Sequence, residues 1–203
     1  MKGQIETIKN NFTKRGFVFN YFETCEEGID FIKTIIPEGS SIGFGGSVTV
    51  KESGLLAALQ ESNYILYHGD FYPKDYKETL LKKMHESDWY IASANALCES
   101  GDIVNVDGRG NRVAEMLHGP KNVIFLCGVN KLVDSIQSGI DRVHNVASPK
   151  NCVRLNKKTP CAITGKCNRC NSPDTICRAT VIHHHPTTGK NVYIVLINKN
   201  LGY

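Results

Sequence analysis

Four cysteines fall within seventeen positions, as Cys161-x5-Cys167-x2-Cys170-x6-Cys177, in a segment otherwise rich in Asn, Pro, Gly and Thr. Thiolates crowded in this way repel one another, and a metal both neutralises them and orders the loop around them. Four cysteines suit tetrahedral zinc or an iron–sulfur cluster. Structural zinc sites usually show two close pairs separated by a spacer, whereas this segment has one CxxC with a lone cysteine on each side. The spacing therefore points to a [4Fe–4S] cluster held by Cys161, Cys167, Cys170 and Cys177, with zinc as the alternative. Cys152 lies just upstream and His183, His184 and His185 just downstream. Whether any of them joins the metal is left open by spacing alone.

A second concentration of chemistry runs from Ser93 to Arg112, SANALCESGDIVNVDGRGNR. Its small residues let another group approach the backbone. Asn95, Asn111 and Arg112 offer donors to a bound substrate. Glu99 is a carboxylate able to act as general acid or base, and Cys98 a thiol able to act as a nucleophile. The same residues would also serve as a hairpin, since Asp-Gly and Asn are ordinary turn residues. Two further loops carry ligand-binding residue types. One comprises Gly43, Gly45, Gly46, Ser47 and Thr49, at a strand-to-helix turn where backbone N–H groups can receive phosphate or carboxylate. The other comprises Gly128, Asn130 and Lys131. The turn GFGGSVT lacks both the GxGxxG spacing and the P-loop lysine, so it gives no nucleotide signature.

The elements that must position these loops alternate. Helical spacing covers residues 2–14, with Ile5, Ile8 and Phe12 on one face. Strand patterns follow at Phe17–Phe22, Ser41–Phe44, Tyr64–Tyr67, Trp89–Ala94, Ile103–Val106, Val123–Cys127 and Val192–Asn198. Between them, helical patterns fall at Cys25–Ile36, from Ser47 to about Gln60, at Asp75–Glu86 and at Leu132–Val146. Such alternation predicts an α/β fold, a mostly parallel sheet flanked by helices, with a C-terminal metal-binding loop. In sheets of that kind ligands sit beyond the carboxyl ends of the strands, where all three loops fall.

The chain has 203 residues, 24 basic and 20 acidic. We read it as one domain over residues 1–203 with a cysteine-rich insertion at 152–185. The balance of charge is too even for a nucleic-acid surface, and no apolar run approaches the ~20 residues of a membrane span. The opening MKGQIETIKNNF lacks the apolar core of a secretory leader. A cytoplasmic protein is expected, with homo-oligomerisation left open.

The stretches SIGFGGSVTVKESGLLAAL, SANALCESGDIVNVDGRGNRVAEMLHGP and VIFLCGVNKLV resemble, in that order, motifs of the LUD-domain family associated with lactate utilization. The resemblance covers roughly Ile5 to Pro149. It implies a fold like that of ribose-phosphate isomerase and the CoA transferases, with a pocket at the strand ends. It also implies a part in lactate or related organic-acid oxidation beside iron–sulfur partner proteins, and a small anionic metabolite as ligand. The four-cysteine extension resembles that of a subset of shorter members. The alternative is a zinc-stabilised enzyme of the same fold acting on a phosphorylated or CoA-linked substrate. ANALCESGDIVN is similar to a segment of sugar-phosphate isomerases that carries Asp where Asn95 stands here, and an amide cannot replace that carboxylate as a base.

Overall fold

The computed structural model describes residues 2–203. Its strands are, in chain order, β1 (Val18–Phe22), β2 (Ser41–Phe44), β3 (Ile65–Tyr67), β4 (Trp89–Ala92), β5 (Ala96–Cys98), β6 (Ile103–Asp107), β7 (Asn122–Gly128), β8 (Leu132–Val133), β9 (Ala179–His183) and β10 (Asn191–Ile197). Six of them form an all-parallel sheet in the order β1-β10-β7-β4-β2-β3. The expected fold class is the one observed.

Alternation along the central strands divides the core in two. On one face Trp89, Ile91, Ile124, Leu126, Val195 and Ile197 point the same way. They are covered by α2 (Cys25–Ile35), α3 (Val48–Glu52) and α4 (Leu55–Gln60). A capping box starts α2: the Thr24 hydroxyl accepts from Glu27 N, and the Glu27 carboxylate accepts from Thr24 N. A cap of this kind stabilises a helix by roughly 1 kcal/mol. The opposite face presents Tyr90, Ala92, Val123, Phe125, Ile194 and Leu196. It buries Ile5, Ile8 and Phe12 of α1 (Lys2–Lys14) and Val113 and Met116 of α6 (Asn111–Leu117). Both faces being covered, the middle strands can be continuously apolar, as Val123–Cys127 is.

Four strands make a second sheet, β8-β5-β6-β9, with β6 antiparallel to β5 and β9. Leu97 and Ile103 turn inward to the core of the first sheet. Ala96, Cys98, Val104 and Val106 turn outward to meet Val143, Cys177 and α7 (Ile136–Arg142). Gly139 lets α7 lie close, because a Cβ there would stand 2.9 Å from Val104 Cγ2.

Two expected helices are corrected. The pattern at Leu132–Val146 breaks up: Leu132 and Val133 pair with Leu97 and Cys98 as β8, and α7 begins only after Ser135, whose hydroxyl accepts from Ser138 N. The chain then widens into a π turn over Val143–Ala147 and continues as α8 (Ser148–Arg154). Pro149, just inside α8, has no N–H to give the preceding turn, which accounts for the widening. The second break comes at Gly54, whose φ of +83° splits the helix expected from Ser47 to Gln60. A further short helix, α9 (Pro160–Thr164), lies inside the cysteine segment. Among the described residues no helix is long and apolar enough to cross a membrane.

Candidate functional site

At the carboxyl ends of β2, β4, β6 and β7 lies a cavity of about 670 Å³. Gly46, Ser47 and Thr49 reach it from the loop after β2, Asn95 from the loop after β4, Asn111 and Arg112 from the start of α6, and Lys131 from the turn after β7. All three loops therefore converge, because β2, β4 and β7 lie side by side in the sheet and their carboxyl ends share one edge. The remaining wall comes from α8 and the segment after the cysteines, including Arg154, Lys157, Asp174 and Arg178. With Lys77 and Arg109, seven basic side chains line the cavity against the two carboxylates of Asp107 and Asp174. An anion is the ligand this field favours.

Several residues picked from sequence do not line it. Gly43 packs on α5 (Lys77–His85), where a Cβ would come within 3.1 Å of Met84 backbone. Gly45 leaves room for its neighbours, since a Cβ would meet Tyr90 Oη at 2.9 Å and Arg112 Cγ at 3.1 Å. Gly128 is pressed against the C-terminal segment, which the Asn130 amide holds by donating to Leu201 O and Gly202 O. Glu99 faces α1, accepting from Gln4 Nε2 at 2.6 Å and, through its carbonyl, from Asn11 Nδ2 at 2.7 Å. Cys98 is wholly enclosed in the second sheet, and burial, with Asp102 nearby, pushes its thiol up to about 12. Neither residue is placed to act on a ligand in this cavity.

Arg112 works as a pin. Nη1 donates to Ser93 O at 3.2 Å and Asn105 Oδ1 at 3.4 Å; Nη2 donates to Val106 O at 2.9 Å and Asn95 Oδ1 at 3.4 Å. Its planar fork thus ties the end of β4 to the end of β6. Asn95 Oδ1 also accepts from Val106 N at 2.8 Å. Asp107 Oδ1 accepts from Arg109 N and Gly110 N, which forms the turn into α6. Its other oxygen has no hydrogen-bond partner among the described residues and lies at ion-pair distance, 3.5 Å, from Arg112 Nε.

Lys131 is 2% exposed, and its Nζ donates to Ser93 Oγ at 2.8 Å and Ala94 O at 3.0 Å. Burial, with Arg142 and Arg112 nearby, pushes it down to about 8. Arg142 was not foreseen; it joins the same loops by donating to Asn130 O and Asn95 O. Sequence gave no cue for it beyond a basic residue at the end of a helix.

Cys161, Cys167, Cys170 and Cys177 line one smaller cavity of about 170 Å³, together with Cys152 and His144. Polar groups surround the sulfurs: Thr159 Oγ1 lies 3.4 Å from Cys161 Sγ, Arg169 N donates to Cys167 Sγ at 3.3 Å, and Cys177 Sγ donates to Ser148 Oγ at 3.1 Å. His144 Nδ1 is 3.3 Å from Cys167 Sγ. Among the described residues, no three or more His, Cys, Asp or Glu are gathered tightly enough to hold a metal ion. The histidine run is elsewhere: His183 packs on Phe125, His184 meets Asp102 at 2.6 Å, and His185 meets Arg15 O. Ser148 and Thr175 line both cavities and form the wall between them.

The family model of the LUD domain matches residues 5–197. The chain belongs to the LUD-domain family. A solved structure of a DUF162-family protein from Deinococcus radiodurans is similar over 97% of both chains, with a TM-score of 0.56 at 11% identity. At that identity the likeness speaks for the fold. No curated protein matches the chain. The matched residues run through the loops of the strand-end cavity and through the cysteine segment.

Proposed function

We propose that this LUD-domain protein binds a [4Fe–4S] cluster through Cys161, Cys167, Cys170 and Cys177. Beside it, the basic cavity takes a small organic-acid anion, in lactate-type organic-acid oxidation or the assembly of its redox machinery. The observation that carries the reading is the wall shared by the two cavities, Ser148 and Thr175. A redox centre held among the four thiols would lie one residue's thickness from the anion pocket.

The donor set fits a cluster better than zinc. One CxxC with a lone cysteine on each side departs from the two close pairs usual for structural zinc. Four thiols around a cavity of about 170 Å³, with the Arg169 N–H donating to the Cys167 sulfur, suit a larger inorganic core. When bound, such a group supplies one-electron chemistry. The protein's own part is to hold the anion among Arg109, Arg178 and Lys157 and to keep the two compartments adjacent. Residues 148–178 carry seven basic residues and one acidic. Around them Ile163 is 86% and Val153 61% exposed. A basic segment with exposed apolar side chains suits an acidic iron–sulfur redox partner.

Anaerobic purification with iron and sulfide analysis tests this. The expected protein is brown, with about four irons and four sulfides per chain, and its visible absorbance is bleached by reductant. Colourless protein with one zinc per chain would replace the redox reading with a structural one. Protein with neither would remove the metal altogether.

A further inference from the structure

From the geometry of the strand-end cavity we infer that Ser93 is a nucleophile and Lys131 its base, so that the protein transfers or hydrolyses acyl groups carried on an anionic leaving group. The inference rests on the anion-binding reading of the cavity but not on the cluster. Ser93 follows directly on β4, and Lys131 lies in the turn after β7. Both line the cavity although each is almost entirely buried, at 4% and 2% exposed. Nζ is 2.8 Å from Oγ. The hydroxyl's other neighbours are poor acceptors: Ala94 O at 3.5 Å and Cys127 Sγ at 3.7 Å. As the cation, Nζ donates to this oxygen; as the neutral amine, it is the one good destination for the hydroxyl proton. The basic groups near Lys131 are Arg142 and Arg112, and the groups of opposite tendency are Cys127 and Glu52. Burial outweighs the latter pair and brings Lys131 to about 8, where an appreciable fraction is a neutral amine with a free lone pair. Serine–lysine pairs of this kind replace the histidine of hydrolase triads on other folds.

The chemistry balances without any further cofactor. As Ser93 Oγ bonds to the acyl carbon, its proton passes to Lys131 Nζ. The bond from that carbon to its phosphate oxygen or thiol sulfur then breaks, and Lys131 returns the proton to the departing group. Water then attacks the serine ester: the neutral Lys131 amine takes its proton and passes it to the departing Ser93 Oγ, and the acyl group leaves as an acid that ionises to the carboxylate. An acceptor hydroxyl or thiol in place of water gives transfer. Arg109, Lys157 and Arg178 would hold the anionic handle of the donor.

Acetyl phosphate and p-nitrophenyl acetate carry the same acyl group on an anionic and a neutral leaving group. The expected result is acetylation mapped by peptide mass spectrometry to Ser93, faster with acetyl phosphate, competed by inorganic phosphate and rising in rate as the pH passes about 8. Ser93→Ala removes the adduct. Lys131→Met, which keeps the length of the side chain, slows it by about 100-fold or more and flattens the pH profile. A thermal melt of each variant separates a chemical effect from a folding one. A purely supporting Lys131 would change the melt but not the pH profile, and that result overturns the inference. If phosphate stabilises the protein while Ser93 stays unmodified, the anion cavity stands and acyl chemistry falls. If phosphate has no effect either, both fall.

Discussion

Arg112 gives a test that separates a ligand-binding arginine from a scaffolding one. Truncation to alanine removes donors from Ser93 O and Val106 O and from the amide oxygens of Asn95 and Asn105. Two backbone carbonyls stranded without partners cost roughly 1–3 kcal/mol each. Water entering from the cavity recovers part of this, which leaves a destabilisation of about 2–4 kcal/mol. For a chain of this size that lowers the melting temperature by about 5–15 °C. Lysine at the same position restores the charge but not the fork, and should recover less than half. The assay is urea and thermal denaturation of wild type, Arg112→Ala and Arg112→Lys, beside a phosphate titration. A variant within about 0.5 kcal/mol of wild type that has lost phosphate binding would refute the pin and return Arg112 to the ligand.

Further expectations can be stated together. Lys131 has its folded pKa lowered from 10.5 to about 8, so its cation is disfavoured in the fold. The penalty is full below about pH 8 and lifts as pH rises towards 10.5. Over that window wild type should gain about 3 kcal/mol relative to Lys131→Met in denaturant titrations; parallel curves would contradict it. Gly139→Ala forces a Cβ to 2.9 Å from Val104 Cγ2, and should cost about 1–3 kcal/mol in urea. Glu99→Gln should leave phosphate binding unchanged by calorimetry, because that carboxylate faces α1. Native-state alkylation with iodoacetamide should spare Cys98, which is sealed in the second sheet.

The parallel sheet was legible because its central strands are uninterrupted apolar runs, and Val123–Cys127 admits little else. The three loops were legible because glycine and amide residues cluster where those runs stop. The second sheet was hard to foresee. β5 is three residues long and β8 two, too short for any periodicity, and they are held by pairing with each other and with β6. Within the loops, residue type identified polar groups but not their direction. Asn95, Asn130 and Arg112 turn out to bind backbone carbonyls and amides of neighbouring loops. Glu99 sits four residues after Asn95, yet the length of β5 separates them and sets it against α1. The Ser93–Lys131 contact joins residues 38 positions apart, a distance at which sequence spacing says nothing about approach.

The π turn at Val143–Ala147 has a consequence for how the two compartments are kept in step. An α-helix advances by about 100° per residue, so the one extra residue of that turn fixes how far the face of α8 is rotated relative to α7. On this face Ser148 looks into both chambers, Cys152 into the thiol-lined one and Asn151 into the basic one. Excising a single residue from the turn would straighten the helix and swing all three away together. The partition between the chambers is thus written in backbone phase, by one surplus residue ahead of Pro149.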